Sequence, residues 1–354
     1  MGTGEGADPT EALVAWLRDQ GVSEHTIATA RRDGHLEPHL ATDAHIRADP
    51  TISVTDAAAN VGRSIEWVTT MLTALGLVPP DATSPSLTAA EVDVLRTMVT
   101  AGQVYSEREI LHFARGLGHA VRLVAEAANE MFAADIEAPH LTAGGDLVGL
   151  GEKVASSVAL LEEAMGHLAT LLRAHLVRSL AMSRSARQSG HGVDRMTLVV
   201  GFVDLAGFTA ATEDADPDAV LALALDFARV AADTVTRVGG RVVKMIGDEV
   251  MFTALDGDRG CDAALVLLRW ATEELDAPVR ARGGLALGPV IAHGGDHYGA
   301  VVNRAARLVQ AAPIGELLLD EATAADCTRH YAVPAGEHDL KGFSRPTATW
   351  SLPA

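Results

Sequence analysis

Two aspartates lie where apolar, strand-like segments end. Asp204 closes the run MTLVVGFVD, and Asp248 follows Gly247 in the turn of RVVKMIGDEVMF. A single aspartate at a strand end is usually a turn residue. If the two strands are neighbours, however, the carboxylates face each other, and such a pair can hold two metal ions for an in-line attack on a nucleotide α-phosphate. The pair therefore indicates metal-dependent phosphoryl chemistry.

Lys244 lies four residues before this turn, inside an apolar run. The chain has only three lysines, Lys153, Lys244 and Lys341, among 28 basic residues. An ammonium is a compact, single-headed donor that the forked guanidinium of arginine does not replace. A lysine in a strand of such an arginine-rich chain therefore indicates a specific donor.

A third polar group lies in GGDHYGAVVNRAARLVQ, residues 294–310. Asn303 and Arg307 are spaced i, i+4 on a predicted helix, so they share one face and can reach a common target. An arginine there can stabilise charge on a phosphoryl group in the transition state, while an amide can orient a ribose. Asp296 precedes them in a glycine-rich loop. Taken singly, each of these residues would be read as ordinary polar surface.

The elements that must position these groups occupy the second half of the chain. Residues 10–187 read as helices, with apolar residues recurring at three and four. After the polar stretch SRSARQSGHG, short strand candidates alternate with helices such as DPDAVLALALDFARVAADTVTRVGG, with Asp216 at the N-cap. The pattern predicts an α/β or α+β sandwich with helices on one sheet, preceded by an all-helical domain, with residues 1–190 and 191–354 as the two domains. Within the sandwich, VRARGGLALG and PVIAHG are predicted as separate strands.

The order and spacing of these six residues resemble the active-site set of the class III adenylyl cyclases over about residues 193–354. The resemblance implies a ferredoxin-like catalytic domain that converts ATP into 3′,5′-cyclic AMP and pyrophosphate. It assigns Mg²⁺ or Mn²⁺, two per site, to Asp204, Asp248 and Leu205. It also assigns Asn303 to the ribose and Arg307 to the pentavalent phosphorus. Further substrate contacts are assigned to Phe208, Thr209 and Lys341, the last in the Leu-Lys-Gly segment of HDLKGFSRP.

The same resemblance assigns Lys244 and Asp296 to the adenine. An ammonium can donate to adenine N1 and a carboxylate can accept from the N6 amino group, whereas guanine presents the opposite pattern at those atoms. Guanylyl cyclases of the family typically carry glutamate and cysteine at these positions. The expected substrate is therefore ATP.

Catalytic domains of this family pair head to tail, with metal ligands from one chain and the base, ribose and transition-state residues from the other. This sequence contains both halves, so a homodimer with two equivalent sites is expected, as two-fold symmetry favours.

Composition limits the other partners. A formal net charge of −19 disfavours a generic nucleic-acid or anionic-membrane surface, and no apolar run approaches the length of a membrane span. The two cysteines, Cys261 and Cys327, are too isolated for a disulfide framework and suggest a reducing cytoplasm. A cytoplasmic protein is the expectation.

The first half contains a helix-turn-helix-like segment, TISVTDAAANVGRSIEWVTTMLTALGLVPP, residues 51–80, with Val61-Gly62 at the turn and Trp67, Val68 and Leu72 as packing residues. Residues 64–80 carry no lysine or arginine. Because phosphate contacts dominate DNA affinity, a structural use of the segment is favoured over DNA binding.

Ten of the 14 histidines lie before Val193. Histidine changes charge near physiological pH, which makes this half a candidate pH-responsive domain. The layout also resembles soluble bacterial class III cyclases with an all-helical regulatory domain, some of them inhibited by that domain and responsive to acid. A linking helix over about residues 153–187 is expected, and an apolar pocket for a lipid-like ligand stays open.

Two other functions compete with this hypothesis. A DNA- or signal-binding regulator would use the cyclase-like half only for nucleotide binding and dimerisation; the full set of metal, base and transition-state residues disfavours it. A diguanylate cyclase is disfavoured because Ile246-Gly247-Asp248-Glu249-Val250 lacks the second glycine and the phenylalanine of that family's signature.

Overall fold

The computed structural model of the chain describes residues 8–46, 50–187, 196–208, 215–275 and 279–353. The chain divides into two compact units, 1–173 and 174–354. The domain boundary predicted between residues 190 and 191 lies outside the described residues and stays a prediction.

The described part of the first unit is helical, as predicted. Its β pairing is a single bridge between Ile52 and Leu87. Helix ends follow local capping rules: Ser53, Ser64 and Ser106 accept a hydrogen bond from the first turn, and Thr88 forms a capping box with Glu91. The helices are α1 Pro9–Asp19, α2 Glu24–Asp33, α3 Leu40–Ile46, α4 Val54–Val61, α5 Ile65–Ala74, α6 Ala89–Ala101, α7 Glu107–Phe132, a π-helical turn Ala133–Glu137, α8 Ala138–Thr142 and α9 Leu147–Arg187. The last of these begins earlier than the predicted linking helix and extends beyond this unit.

The predicted helix-turn-helix forms from α4 and α5. Gly62 adopts the left-handed conformation, with φ of 67°, that ends α4 and allows the turn. Val68 and Leu72 are buried, as predicted, whereas Trp67 is only partly buried and lies under Arg63, 5.6 Å from the guanidinium carbon to the ring centroid. The segment is thus built into a helical core.

The second unit contains one mixed sheet with helices on both faces. Its elements are β1 Met196–Ala206, α10 Pro217–Arg237, β2 Arg241–Ile246, β3 Glu249–Ala254, α11 Gly257–Glu273, β4 Arg280–His293, β5 Asp296–Tyr298, α12 Ala300–Ala311, β6 Glu316–Asp320, α13 Glu321–Asp326, β7 Val333–His338 and β8 Thr347–Pro353. Asp216 caps α10, with Pro217 in its first turn, as predicted.

The sheet order is β2-β3-β1-β4-β6-β8-β7, and β5 pairs with β4. The first four strands with α10 and α11 form a βαββαβ unit in which all neighbouring strands are antiparallel. This is the ferredoxin-like arrangement implied by the resemblance. The strand β6 joins β4 in parallel and extends the sheet.

Alternating side chains of β1 supply the two cores. Val199 and Val203 pack with α10 and α11, while Leu198, Val200 and Phe202 pack with α12. We call the second side the α12 face. Asp204 is in phase with Phe202, so its side chain lies on the α12 face.

One strand prediction is wrong: the two segments predicted around Gly288 and Pro289 form one continuous strand, β4. On the side away from β1, residues 283–285 pair with β6 and residues 291–293 with β5. Pro289 lies between these two pairings, where a proline is tolerated because no neighbour on that side requires its N–H.

The two cysteines are brought together by the fold. Cys261 of α11 and Cys327, just after α13, are free, buried thiols with their sulfurs 2.9 Å apart. The hydrogen bond with Cys327, together with burial, raises the pKa of the Cys261 thiol. The pair is therefore a packed core contact of reduced thiols.

None of the described helices combines the length and apolar character needed to cross a bilayer.

Candidate active site

Asp204 lies in a row of charged residues that crosses three strands. In the β1 register it pairs with Glu249 of β3 on one side and with Arg282 of β4 on the other. Arg282 donates a hydrogen bond from Nε to Asp204 Oδ2 at 2.9 Å, and its Nη2 forms an ion-pair contact with the same oxygen at 2.8 Å. Its Nη1 also donates to the backbone carbonyl of Gln310 at the end of α12, at 3.3 Å. Arg282 therefore fixes the orientation of Asp204 and ties the strand end to α12.

Asp248 joins the same corner of the sheet through the backbone. It follows Gly247, which has a φ of 63°, in the predicted two-residue turn between β2 and β3. Its carbonyl accepts a hydrogen bond from the N–H of Leu205 at 3.1 Å. This bond fastens the turn directly beside Asp204, so the two aspartates are brought together as predicted.

The electrostatics of this corner reflect three clustered carboxylates. Burial, followed by repulsion from Asp204, raises the pKa of Asp248, although its own backbone N–H and Arg282 oppose the rise. Burial, with repulsion from Asp204 and Asp248, raises the pKa of Glu249 to about 7. Each added negative charge is thus unfavourable here, and a cation would offset that cost.

Divalent metal ions fit this donor set. Two carboxylates and backbone carbonyls are the hard oxygen ligands that Mg²⁺ and Mn²⁺ prefer. The side chain of Leu205 is buried and apolar, so this residue can offer only its backbone carbonyl. In the part of the chain that the structure describes, no group of three histidine, cysteine, aspartate or glutamate side chains is arranged to hold an ion. Asp204, Asp248 and the Leu205 carbonyl would therefore depend on ligands from a bound triphosphate or water.

Lys244 and Asp296 form a direct ion pair. The lysine Nζ lies 2.6 Å from Asp296 Oδ2, and the side chains are 44% and 27% exposed. The other aspartate oxygen accepts from the N–H of His297 at 2.8 Å. Burial acts to raise the pKa of Asp296, but the hydrogen bonds from Lys244 and His297 prevail, and the pKa of this carboxyl is lowered. The pair is thus a charged donor and acceptor set side by side with access to solvent.

A β-bulge orients Lys244. The register shifts between Val242, which pairs with Phe252, and Lys244, which pairs with Met251. Val242 and Met245 consequently pack in the same core although they are three positions apart in the chain, and Lys244 is placed on the α12 face with Met251. Without the bulge, strand alternation would place Lys244 on the opposite side, away from Asp296.

The helix α12 carries Asn303 and Arg307, as predicted. Asn303 is exposed, and the half-buried Arg307 donates to Gln310 Oε1 at 2.8 Å. The helix packs closely on β4 at Gly284, where a Cβ would lie 2.3 Å from the backbone nitrogen of Val309. That glycine sets how near the two polar side chains come to the sheet.

The remaining predicted residues lie at the margins of the site. Phe208 is partly buried against the core shared with α10 and α11. Thr209 lies outside the described residues. Lys341 is exposed in a turn after β7. Of the groups predicted from sequence, the structure therefore joins Asp204 with Asp248 and Lys244 with Asp296, and it places Asn303 and Arg307 on one helix.

Arg282 and Glu249 were missed by the sequence reasoning. Arg282 lies in a glycine-rich strand candidate, and Glu249 directly follows Asp248 in the quoted turn. Their neighbourhood with Asp204 depends on the pairing of β1 with β3 and β4. The available signal in the sequence was that each of these two charged residues lies within a predicted strand.

Comparison with known proteins gives likenesses over most of the chain. No protein-family model matches. An adenylate cyclase of Streptomyces coelicolor is 30% identical over 89% of this chain and 85% of that protein. A pH-sensitive adenylate cyclase of Mycobacterium tuberculosis is 27% identical over 92% of this chain and 81% of that protein. An uncharacterized protein of M. tuberculosis is 31% identical over 98% of this chain and 91% of that protein. Each likeness extends through both units.

Proposed function

Since this chain belongs to the class III adenylyl cyclases, we propose that it converts ATP into 3′,5′-cyclic AMP and pyrophosphate at sites shared by two copies of the chain. The observation that carries the choice of ATP is the contact of 2.6 Å between Lys244 and Asp296. A charged donor beside a charged acceptor matches adenine N1 and the N6 amino group, whereas guanine has a donor at N1 and an acceptor at C6.

Asp204, Asp248 and the Leu205 carbonyl would hold Mg²⁺ or Mn²⁺, two ions per site, together with the triphosphate. When bound, such ions lower the pKa of the ribose 3′-hydroxyl and neutralise charge on the triphosphate. Arg282 keeps the Asp204 carboxylate oriented through one hydrogen bond and an ion-pair contact to Oδ2. Orientation before binding reduces the reorganisation that the reaction would otherwise require.

Asn303 and Arg307 act from α12. Asn303 is exposed and free to orient the ribose, while Arg307 provides a permanent charge for the oxygens of the pentavalent phosphorus. Their i, i+4 spacing allows one rigid helix to hold the sugar and the reacting phosphate in register. Lys341 attracts the outer phosphates, and Phe208 and Thr209 line the nucleotide.

Each site takes its metal ligands from one copy and its base, ribose and transition-state residues from the other. Support comes from the family, in which catalytic domains pair head to tail, and from the presence of both sets in this chain. A two-fold homodimer makes such reciprocal contacts in both sites at once.

The helical unit regulates this activity, by inhibition and in response to pH. Support comes from its histidine content and from the likeness over both units to a relative named as pH-sensitive. A lipid-like ligand would also bind to the helical unit. The enzyme is proposed to act in the cytoplasm. The regulation is tested by comparing the cyclase activity of the full chain with that of residues 191–354 between about pH 5.5 and pH 8. Matching pH profiles of activity would contradict regulation by the helical unit.

The activity itself is tested by product identification. Purified full-length protein is incubated with ATP or GTP and with Mg²⁺ or Mn²⁺, and the nucleotide products are identified by mass spectrometry. Lys244→Ala and Asp296→Ala are expected to lose most turnover of ATP while keeping the fold. Undiminished ATP turnover in both variants would contradict the assignment of the base-reading pair.

A further inference from the structure

Arg304 lies on α12 between Asn303 and Arg307, the two proposed catalytic residues. Its side chain contacts neither of them but instead contacts Asp320 and Phe343. Its Nη1 donates to Asp320 Oδ2 at 2.9 Å. The Asp320 side chain is only 3% exposed, and its other oxygen accepts from the backbone N–H and hydroxyl of Thr323 and from the N–H of Leu287. A buried carboxylate requires a charged partner, so Asp320 fixes the position of the guanidinium.

The same guanidinium lies over the aromatic ring of Phe343, in the loop between β7 and β8. The Arg304 guanidinium carbon lies 5.8 Å from the centroid of Phe343. Both Phe343 and the buried Leu340 pack against the core on the α12 face. Arg304 therefore links a buried carboxylate at the end of β6 to the loop between β7 and β8.

Phe343 is the last residue of the turn that presents Lys341. Its N–H donates to the Leu340 carbonyl at 3.0 Å, and Gly342 has a φ of 93°. Positive φ at the third position is the requirement of a type II turn. Lys341 occupies that second position and is exposed, so its two flanking anchors, Leu340 and Phe343, determine where the ammonium lies.

One side of this loop lies along open space. Segment 343–348 lines a cleft of about 370 Å³ together with Arg304 and Asp320. On this side the loop is not held by dense packing. The contact between Arg304 and Phe343 therefore restrains it there.

We propose that Arg304 is a positioning residue that couples α12 to the turn bearing Lys341. By holding Phe343, it sets the distance between the Lys341 ammonium and the helix that carries Asn303 and Arg307. The inference rests on the proposed function, since it assumes that Lys341 acts on the triphosphate of ATP. It adds a residue that touches no substrate and acts through another side chain.

The test is a double-mutant cycle in the full-length protein. Phe343→Leu keeps an apolar anchor and removes the ring face, and Lys341→Ala removes the ammonium. Loss of an exposed cation–π contact is worth about two- to fivefold, so Phe343→Leu is expected to raise KM for ATP by that factor with little change in kcat. In the Lys341→Ala background the same change is expected to have no further effect. Equal rises in KM in both backgrounds, or no rise in either, would overturn the proposal.

Two further variants separate positioning from general destabilisation. Phe343→Tyr keeps the ring and is expected to retain the parent KM. Arg304→Lys keeps a charge at Asp320 but loses the planar group, so it is expected to reproduce the KM effect of Phe343→Leu without adding to it. Arg259→Lys, which alters an exposed ion pair on α11, serves as the matched control.

Turnover by the parent protein, measured in the same series, tests the proposed function independently of the coupling. A parent protein that makes no cyclic nucleotide overturns the function; an active parent with independent Phe343 and Lys341 effects overturns only the role of Arg304.

Discussion

Arg282, on the neighbouring strand, donates a hydrogen bond from Nε to one oxygen of Asp204 at 2.9 Å and places Nη2 2.8 Å from the same oxygen as an ion pair. Both side chains are largely shielded from solvent, with exposed fractions of 29% and 19%. The interaction therefore combines a structural ion pair with the orientation of a proposed metal ligand.

Replacing Arg282 by methionine should destabilise the second unit, because Asp204 would be left unpaired beside Asp248 and Glu249. Removing one partner of a shielded pair costs on the order of 2–4 kcal/mol, whereas an exposed pair contributes about 0–1 kcal/mol. Urea denaturation of Arg282→Met and of Arg229→Met, which breaks the exposed pair with Asp226, measures the difference. Adding Asp204→Asn to Arg282→Met should recover part of the lost free energy of unfolding, because the unpaired charge is then removed. Equal costs for the two arginines would contradict this account.

Glu249 should make the metal-free protein less stable as pH rises. Its pKa is raised from 4.5 to about 7 by burial and by the neighbouring aspartates. Between these values the folded state binds the proton that the unfolded state has released, so this contribution to the free energy of unfolding falls with increasing pH. Glu249→Gln should remove that decline, on the order of 3 kcal/mol between about pH 4.5 and pH 7.

The measurement is chemical denaturation in the presence of a chelator over this pH range, comparing the slopes of the two proteins. The difference between them isolates Glu249 from other titrating groups such as Asp296, whose pKa is lowered. Parallel pH dependences for the parent and Glu249→Gln would show that this carboxyl ionises normally in the folded protein.

Much of this site was predictable from local sequence. The Gly247-Asp248 turn, the helix bearing Asn303 and Arg307, and the cap at Asp216 each depend on residues close in the chain. Local preferences therefore sufficed to place these groups on elements of the correct type.

The missed features all depend on pairing between distant segments. The bulge that turns Lys244 towards Asp296 is a shift of β2 against β3, and a sequence of alternating residues does not show where one extra residue is accommodated. The continuity of β4 through Pro289 likewise depends on where its neighbours β5 and β6 stop. Arg282 became part of the site only through its register with Asp204.

Base selection should change when the Lys244 and Asp296 pair is replaced. Lys244→Glu with Asp296→Cys presents an acceptor to guanine N1 and a donor to its O6, the reverse of the parent pattern. We expect cyclic AMP formation to fall by roughly 100-fold or more, because both hydrogen bonds to adenine are lost and the polar atoms of the base and of the exchanged side chains face each other unpaired. Cyclic GMP should become detectable from GTP.

The control for this exchange is Arg229→Lys on α10, whose exposed ion pair with Asp226 makes no contact with the Lys244 and Asp296 pair. Product ratios with equimolar ATP and GTP, determined by mass spectrometry, give the specificity directly. An exchanged protein that still prefers ATP would show that other residues read the base.

Mixing two inactive variants should restore activity if sites are shared between copies. Asp204→Ala lacks a metal ligand and Arg307→Ala lacks the transition-state charge, so each homodimer has two defective sites. In a mixed dimer both defects fall in one site and the other is intact, and equal mixing should recover about one quarter of the parent turnover when pairing is random.

Recovery is followed as cyclic AMP formation after mixing and re-equilibration, with dimerisation checked by light scattering. Asp204→Ala mixed with Asp204→Asn serves as the matched negative control. Mixed dimers without recovered activity would indicate that each chain completes its own site.

The proposed activity of this chain is the synthesis of cyclic AMP from ATP. The most direct measurement is to incubate the full-length protein with ATP or GTP, each with Mg²⁺ or Mn²⁺, and to identify the products by mass spectrometry beside Asp204→Ala. We expect the parent protein to form 3′,5′-cyclic AMP and pyrophosphate from ATP, and the Asp204→Ala variant to form neither. Absence of any cyclic nucleotide in all conditions, or formation of cyclic GMP alone, would contradict it.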